Sequence, residues 1–315
     1  MEIKESVFLK DFTTIKIGGP ADYFFIAKNK NDLIEAVSYV KDRGLPFFIL
    51  GAGSNVLFSD KGFRGLVIKI WSSNFQALNS KIYAEAGVEL KKLVEFSAEA
   101  VLTGLEWAAG IPGSVGGAIY GNVGAFGSAI EDSVKEVEVV NINSGKIIKF
   151  SKAECLFSNK ETIFKKRKEL IIISAVFDLK EGSKDEIQKK IKENINYRAK
   201  NHPLDFRSAG CVFKNQISNL KSQKLIFKNQ NLLNEFPELR RFNEKGIIPT
   251  SYLIDKCGLK RRKIGSAQIS EKHANFIINL GNAKASDVLE LIKITKREVK
   301  NKFRVELEEE IQIIK

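Results

Sequence analysis

The sequence predicts an α+β fold of more than one domain, and three observations carry that prediction. Apolar strand-like runs alternate with helix-period segments in the N-terminal part. The middle of the chain is dominated by alternating, hairpin-like stretches of antiparallel character. At 315 residues the chain exceeds what one core organises, and the polar, glycine-containing stretch 181–185 marks a candidate domain edge. Hydrophobic content of 43% and charge of 28% exclude a wholly disordered chain.

Residues 23–27 form the first short strand. Leu33, Ile34, Val37 and Val40 recur at helical spacing, which predicts a helix over 32–43 with Gly44 as C-cap. Residues 46–50, PFFIL, read as a buried strand that runs into GAGSN at 51–55, and 66–70 as a further strand. Residues 82–86 are strand-like. Leu90, Leu93, Val94, Ser97, Ala98 and Val101 mark one face of a helix ending near Gly104. Residues 134–141 alternate as a strand, Asn143, Ser144 and Gly145 turn, and 146–150 pairs back. Residues 170–179 are another strong strand, and Ile187, Ile191 and Ile195 mark a helix up to Arg198. The stretch 216–246, rich in Lys, Asn and Gln, reads as partly ordered at best. A helix is predicted over 287–302 with Ser286 as N-cap, and 305–313 close the chain as an alternating strand.

The segment 104–127 is the most informative. Glycines stand at 104, 110, 113, 116, 117, 121, 124 and 127, eight of the chain's 23. Leu105, Trp107, Ile111, Val115, Ile119, Val123 and Phe126 run among them, so it is no flexible linker. Two readings stand side by side: tight turns between strands, or a folded loop presenting backbone N–H groups to an anionic ligand. GAGSN after a strand admits the same two readings.

Three cysteines without a CxxC pair and two histidines, His202 and His273, argue against a structural zinc site and a disulfide framework. No metal is expected. The N-terminus lacks a secretory signal, and the strongest apolar run, 170–177, is too short to span a bilayer. The net charge of +13 suits attraction of small polyanions or plain solubility better than nucleic-acid binding, because no aromatic RNA motif or helix-turn-helix accompanies it.

Five segments in order carry a resemblance: TTIKIGGPAD at 13–22, LGAGSNVL at 50–57, the glycine-rich 104–127, SAGCVFKN at 208–215, and 253–276 with IDKCGLK, IGSAQIS and KHANF. Each is weak alone. Together they resemble the UDP-N-acetylenolpyruvoylglucosamine reductase family over nearly the whole chain. The resemblance implies a two-domain FAD-binding module of the vanillyl-alcohol-oxidase/PCMH type plus a C-terminal α/β substrate domain. The boundaries expected are 1–75, 76–185 and 186–315, with an inserted loop at about 216–248. It further implies a cytoplasmic flavoenzyme of peptidoglycan synthesis with FAD as cofactor and NADPH as reductant. Its partners would be a UDP-sugar substrate and NADPH, with no nucleic acid or membrane, and the chain would be a monomer. Another FAD-dependent oxidoreductase and a non-catalytic flavin- or nucleotide-binding relative are the alternatives.

The same resemblance assigns site residues. Cys211 falls where the family places its proton donor, and a thiol is a far stronger acid than the serine common there. Glu310 falls at the family's C-terminal glutamate, although Glu309 is the acid on the apolar side of the expected strand. The family's Tyr-Arg pair is replaced by Asn159 and Lys160, a point charge where the family has a bidentate guanidinium. Gly51, Ala52, Gly53, Ser54 and Asn55 would hold the FAD pyrophosphate. Ile111, Pro112, Gly113, Ser114, Gly116, Gly117 and Ala118 would line the flavin and phosphate path. Arg198, His202 and Pro203 are candidates for the flavin or a hinge, and Lys272 and His273 for the nucleotide.

Overall fold

The structure, a computed structural model, describes residues 1–217 and 230–315. The chain divides into two compact units. The first comprises Met1–Phe8, Pro20–Ser54 and Phe63–Lys200; the second comprises Leu9–Gly19, Asn55–Gly62 and Asn201–Lys315.

The first unit is built on two large sheets, beside two short two-stranded ones. In one large sheet, the strands run in the order Lys4–Phe8, Pro20–Ala27, Phe63–Ile70, Phe47–Leu50. The last three are parallel, and the helix Lys30–Arg43 makes the crossover. Asn29 caps that helix by accepting from the Asp32 N–H, and Gly44 closes it at φ 60°, as the sequence predicts. Leu33, Ala36, Val37 and Val40 are its buried stripe. The other sheet is antiparallel, in the order Ile147–Ser151, Val134–Asn141, Leu170–Asp178, Lys81–Glu85, Phe75–Leu78. Its central strand Leu170–Asp178 is buried along nearly its whole length, which explains the apolar run LIIISAVF, interrupted only by Ser174, whose hydroxyl donates to Glu138. The helix Leu90–Glu99 leads toward the glycine-rich segment. That segment is more regular than the expected loop: it contains a six-residue helix, Val115–Tyr120, capped by Ser114.

The second unit is built on an antiparallel sheet in the order Arg207–Cys211, Phe276–Asn279, Ala267–Ile269, Lys263–Ile264. The helix Ala285–Phe303 packs on it with Val288, Leu291, Ile292, Thr295 and Val299 buried. Two expectations need correction here. Ser286 is not the N-cap; Lys284 is, and the Asp60 carboxylate accepts from the Ala285 and Ser286 N–H groups at 2.7 and 3.1 Å. A distant carboxylate thus satisfies amides that a local cap would otherwise serve. Residues 305–313 are not one strand; pairing is confined to a Phe213–Glu309 bridge and the strand Gln312–Ile314 on Val56–Phe58. Of the stretch 216–246, the described part is ordered: helices Gln230–Glu235 and Glu238–Glu244 bury Leu232, Leu233, Phe236 and Leu239. Phe236 lies between the two helices and packs tilted against Phe303, ring centroids 5.1 Å apart. Residues 218–229 of the expected insertion lie outside the described residues.

Candidate active site

In the first unit the two candidate cofactor segments lie against one another. A Cβ on Gly51 would stand 2.4 Å from Ser114 Oγ, so only glycine allows the approach. Lys69 donates from Nζ to the Gly51 carbonyl beneath the turn. Burial lowers the pKa of that ammonium, with Glu89 opposing. Ser114 Oγ accepts from the Gly117 N–H, while the Val115 and Gly116 N–H groups donate to Val88 O at 2.9 Å and Ala86 O at 2.8 Å. These three amides are therefore committed internally. Gly116 serves closeness, since a Cβ there would sit 2.8 Å from Ala86 Cβ. Among the described residues, the N–H groups of Ala52, Ser54, Gly113 and Ser114 donate to no protein acceptor. Amides on two abutting turns, half-buried except that of the buried Ser114, with a lysine ammonium at one of the turns, suit a pyrophosphate. The residues present fit FAD in this respect. Asn55 differs from its neighbours, because its side-chain amide donates to the Glu310 carbonyl at 3.0 Å within the second unit.

Arg198 is buried in the first unit and donates to the carbonyls of Ala109 at 2.9 Å and Trp107 at 3.2 Å. Its guanidinium also lies 5.1 Å from the Phe126 ring. It ties the glycine-rich segment to the helix Lys184–Asn201. Lys160 stands in a tight turn in which Ser158 and Glu161 exchange both backbone hydrogen bonds, at 3.0 and 3.1 Å.

In the second unit, Cys211 ends the strand Arg207–Cys211, opposite Phe276 and half-buried. The chain after it pairs with the segment carrying Glu310: the Glu310 N–H donates to Val212 O at 2.8 Å, and the Lys214 N–H to Glu308 O at 2.9 Å. Glu308 pairs with Lys214 at 2.5 Å and Glu309 with Lys296 at 2.9 Å. The acid on the expected apolar side is thus held by a lysine of the long helix. Asn275, in KHANF, clips the segment after Cys211: its Oδ1 accepts from Phe213 N at 3.0 Å and its Nδ2 donates to Phe213 O at 2.8 Å. Its own carbonyl accepts from the Val212 N–H at 2.8 Å. His202, His273 and Phe276 form an aromatic cluster with centroids 4.9–5.3 Å apart. His273 Nδ1 is buried without a partner, and burial lowers the imidazole pKa.

Sequence reasoning missed Lys69 and Asn275. Lys69 lies in the strand Phe63–Ile70, where its cationic end gives no periodic signal. Asn275 carried a signal, a polar residue beside the buried Ala274 and Phe276, but within KHANF only Lys272 and His273 were given a role.

Comparison with known proteins defines the class first. Residues 21–151 match the FAD binding domain family, and 202–314 match the C-terminal domain of UDP-N-acetylenolpyruvoylglucosamine reductase. The fold is an FAD-binding domain followed by that reductase-type domain, as the motifs implied, and the class is FAD-dependent oxidoreductase. A UDP-N-acetylenolpyruvoylglucosamine reductase of Caldanaerobacter subterraneus subsp. tengcongensis is 40% identical over 97% of this chain and 91% of its own. One of Fervidobacterium nodosum is 39% identical over 98% and 90%. The crystal structure of the reductase from Thermus caldophilus superposes with a TM-score of 0.76 at 32% identity, covering 100% of both chains. The chain belongs to the UDP-N-acetylenolpyruvoylglucosamine reductase family.

Proposed function

We propose that this protein is an NADPH-dependent reductase that converts UDP-N-acetylglucosamine enolpyruvate to UDP-N-acetylmuramate, a cytoplasmic step of peptidoglycan synthesis. The domain division 1–75, 76–185 and 186–315 would assign the first two parts to FAD and the third to the sugar nucleotide. Bound FAD supplies the hydride that adds to C3 of the enolpyruvyl group. The amides of Ala52, Ser54, Gly113 and Ser114 hold the cofactor's pyrophosphate, and Lys69 braces the first turn. Negative charge builds at C2 and on the substrate carboxylate, and Lys160 offsets it electrostatically. Cys211 delivers its Sγ proton to C2. Glu310 is the acid beside it in the proton path.

One observation carries the reading: the backbone ladder that ties the Cys211 segment to the Glu310 segment, 99 residues apart in sequence, inside one unit. Lys214 engages Glu308 and Lys296 engages Glu309, while Glu310 lies on the segment that pairs with Val212, next in sequence to Cys211. The test is anaerobic. Reduction of the purified flavoprotein by NADPH, followed by mixing with UDP-N-acetylglucosamine enolpyruvate, should reoxidise the flavin and yield UDP-N-acetylmuramate. A flavin that stays reduced overturns the reading.

A further inference from the structure

The turn that carries Lys160 is built in a costly way. Lys160 has φ 58°, in the left-handed region that side chains rarely adopt. Three contacts hold it there. Lys165 donates from Nζ to the Lys160 carbonyl, and stands 3.7 Å from Glu161 Oε1. Asn122 donates from Nδ2 to the Ser158 carbonyl at 2.8 Å. Thr162 donates from its hydroxyl to the Tyr120 carbonyl at 3.0 Å. The turn is thereby clamped onto residues 120–122 of the glycine-rich segment. Lys165 is no ordinary surface lysine: its side chain is 19% exposed and its ammonium lies 6.0 Å from the centre of the Tyr120 ring. Asn122 Oδ1 is buried beside the same turn without a partner.

We propose that Lys165 is a positioning residue for Lys160, holding the Ser158–Glu161 turn in the left-handed backbone that fixes where the Lys160 ammonium stands. The inference rests on the proposed role of Lys160. An arginine brings two parallel donors that orient it on a carboxylate, whereas a lysine is a point charge on a flexible stem. With lysine at 160, the backbone must supply the placement that a guanidinium supplies for itself. A locked turn does so, and strain at a functional position is tolerated when its surroundings over-determine it.

The test uses the full-length flavoprotein with Lys165→Met, Lys165→Arg, Lys160→Met and the double Lys160→Met/Lys165→Met variant. Lys165→Met should slow flavin reoxidation by the enolpyruvyl substrate by about tenfold to a hundredfold, the cost of a misplaced group. Flavin reduction by NADPH should stay within about twofold of the parent. Lys165→Arg should recover most of the loss. The double variant should be no slower than Lys160→Met by more than about twofold, because both residues act as one unit. Amide hydrogen exchange at Ser158 and Glu161 should quicken in Lys165→Met, with or without substrate. Unchanged exchange, equal loss in both half-reactions, or multiplying losses in the double variant each overturn the proposal. If the parent enzyme itself is not reoxidised, the functional reading fails and takes this inference with it. A parent that turns over beside an unaffected Lys165→Met sinks the inference alone.

Discussion

Of the three cysteines, burial pushes Cys155 up to about 12 and Cys257 up to about 11, so both thiols stay protonated and inert near neutral pH. Cys211, half-buried as Cys257 is, ends a motif strand. Cys211→Ser should keep measurable flavin reoxidation by substrate, while Cys211→Ala should lose it with flavin reduction intact; normal reoxidation in the alanine variant sinks the donor role. His273 gives a second residue-scale expectation. Its imidazole takes up a proton near 6.5 in the unfolded chain, and burial lowers that value in the folded protein. Between the two values the unfolded chain binds more protons, so stability falls as pH drops through about 6.5. Denaturant midpoints measured from neutral to mildly acidic pH should show this loss, and His273→Gln should flatten it. The motif around these residues was legible in the sequence, because an ordered set of short patterns is specific even when each is weak. The engagement of Glu309 by Lys296 was not legible, because the lysine comes from the face of another element.

Elements follow local pattern where one face is buried. The helix Ala285–Phe303 and the strands Val134–Asn141 and Leu170–Asp178 stand close to where their apolar spacing places them. Their ends do not follow local pattern, and the cap from Asp60 shows why: the partner lies 225 residues away. The helices at 230–244 were obscured by a polar composition that outweighs four apolar residues. At this scale Asn275 is decisive. Asn275→Ala leaves both Phe213 backbone groups without their partner in a buried setting, at a cost of about 2–4 kcal/mol. Thermal unfolding should register that loss, and Asn275→Asp should recover only the acceptor half. A change under about 0.5 kcal/mol would show that water replaces both bonds.

For the molecule as a whole, the excess of 51 Lys and Arg over 38 Asp and Glu falls mostly on the second unit, which holds 25 of the basic and 15 of the acidic residues, and it is not gathered in one basic run. Among the described residues no helix is long and apolar enough to cross a membrane, and no group of three or more His, Cys, Asp or Glu could hold a metal ion. A diffuse positive field attracts phosphorylated ligands from a distance and weakens with salt. Domain-level organisation was only partly legible, because the sequence read in linear blocks while each unit takes three separate stretches of chain.

That interleaving bears on how the protein is made. Ile15, Ile17 and Leu57 leave the ribosome early, yet they belong to a core whose other members lie beyond residue 200. The edge of Val56–Phe58 receives its partner only with Gln312–Ile314, made far later than the strand itself. The nascent chain therefore carries these apolar groups without a home until the stretch beyond residue 200 has been made. Ribosome-bound chains arrested short of residue 312 should stay protease-sensitive over 230–311, and chains extended past Ile314 should become resistant in one step.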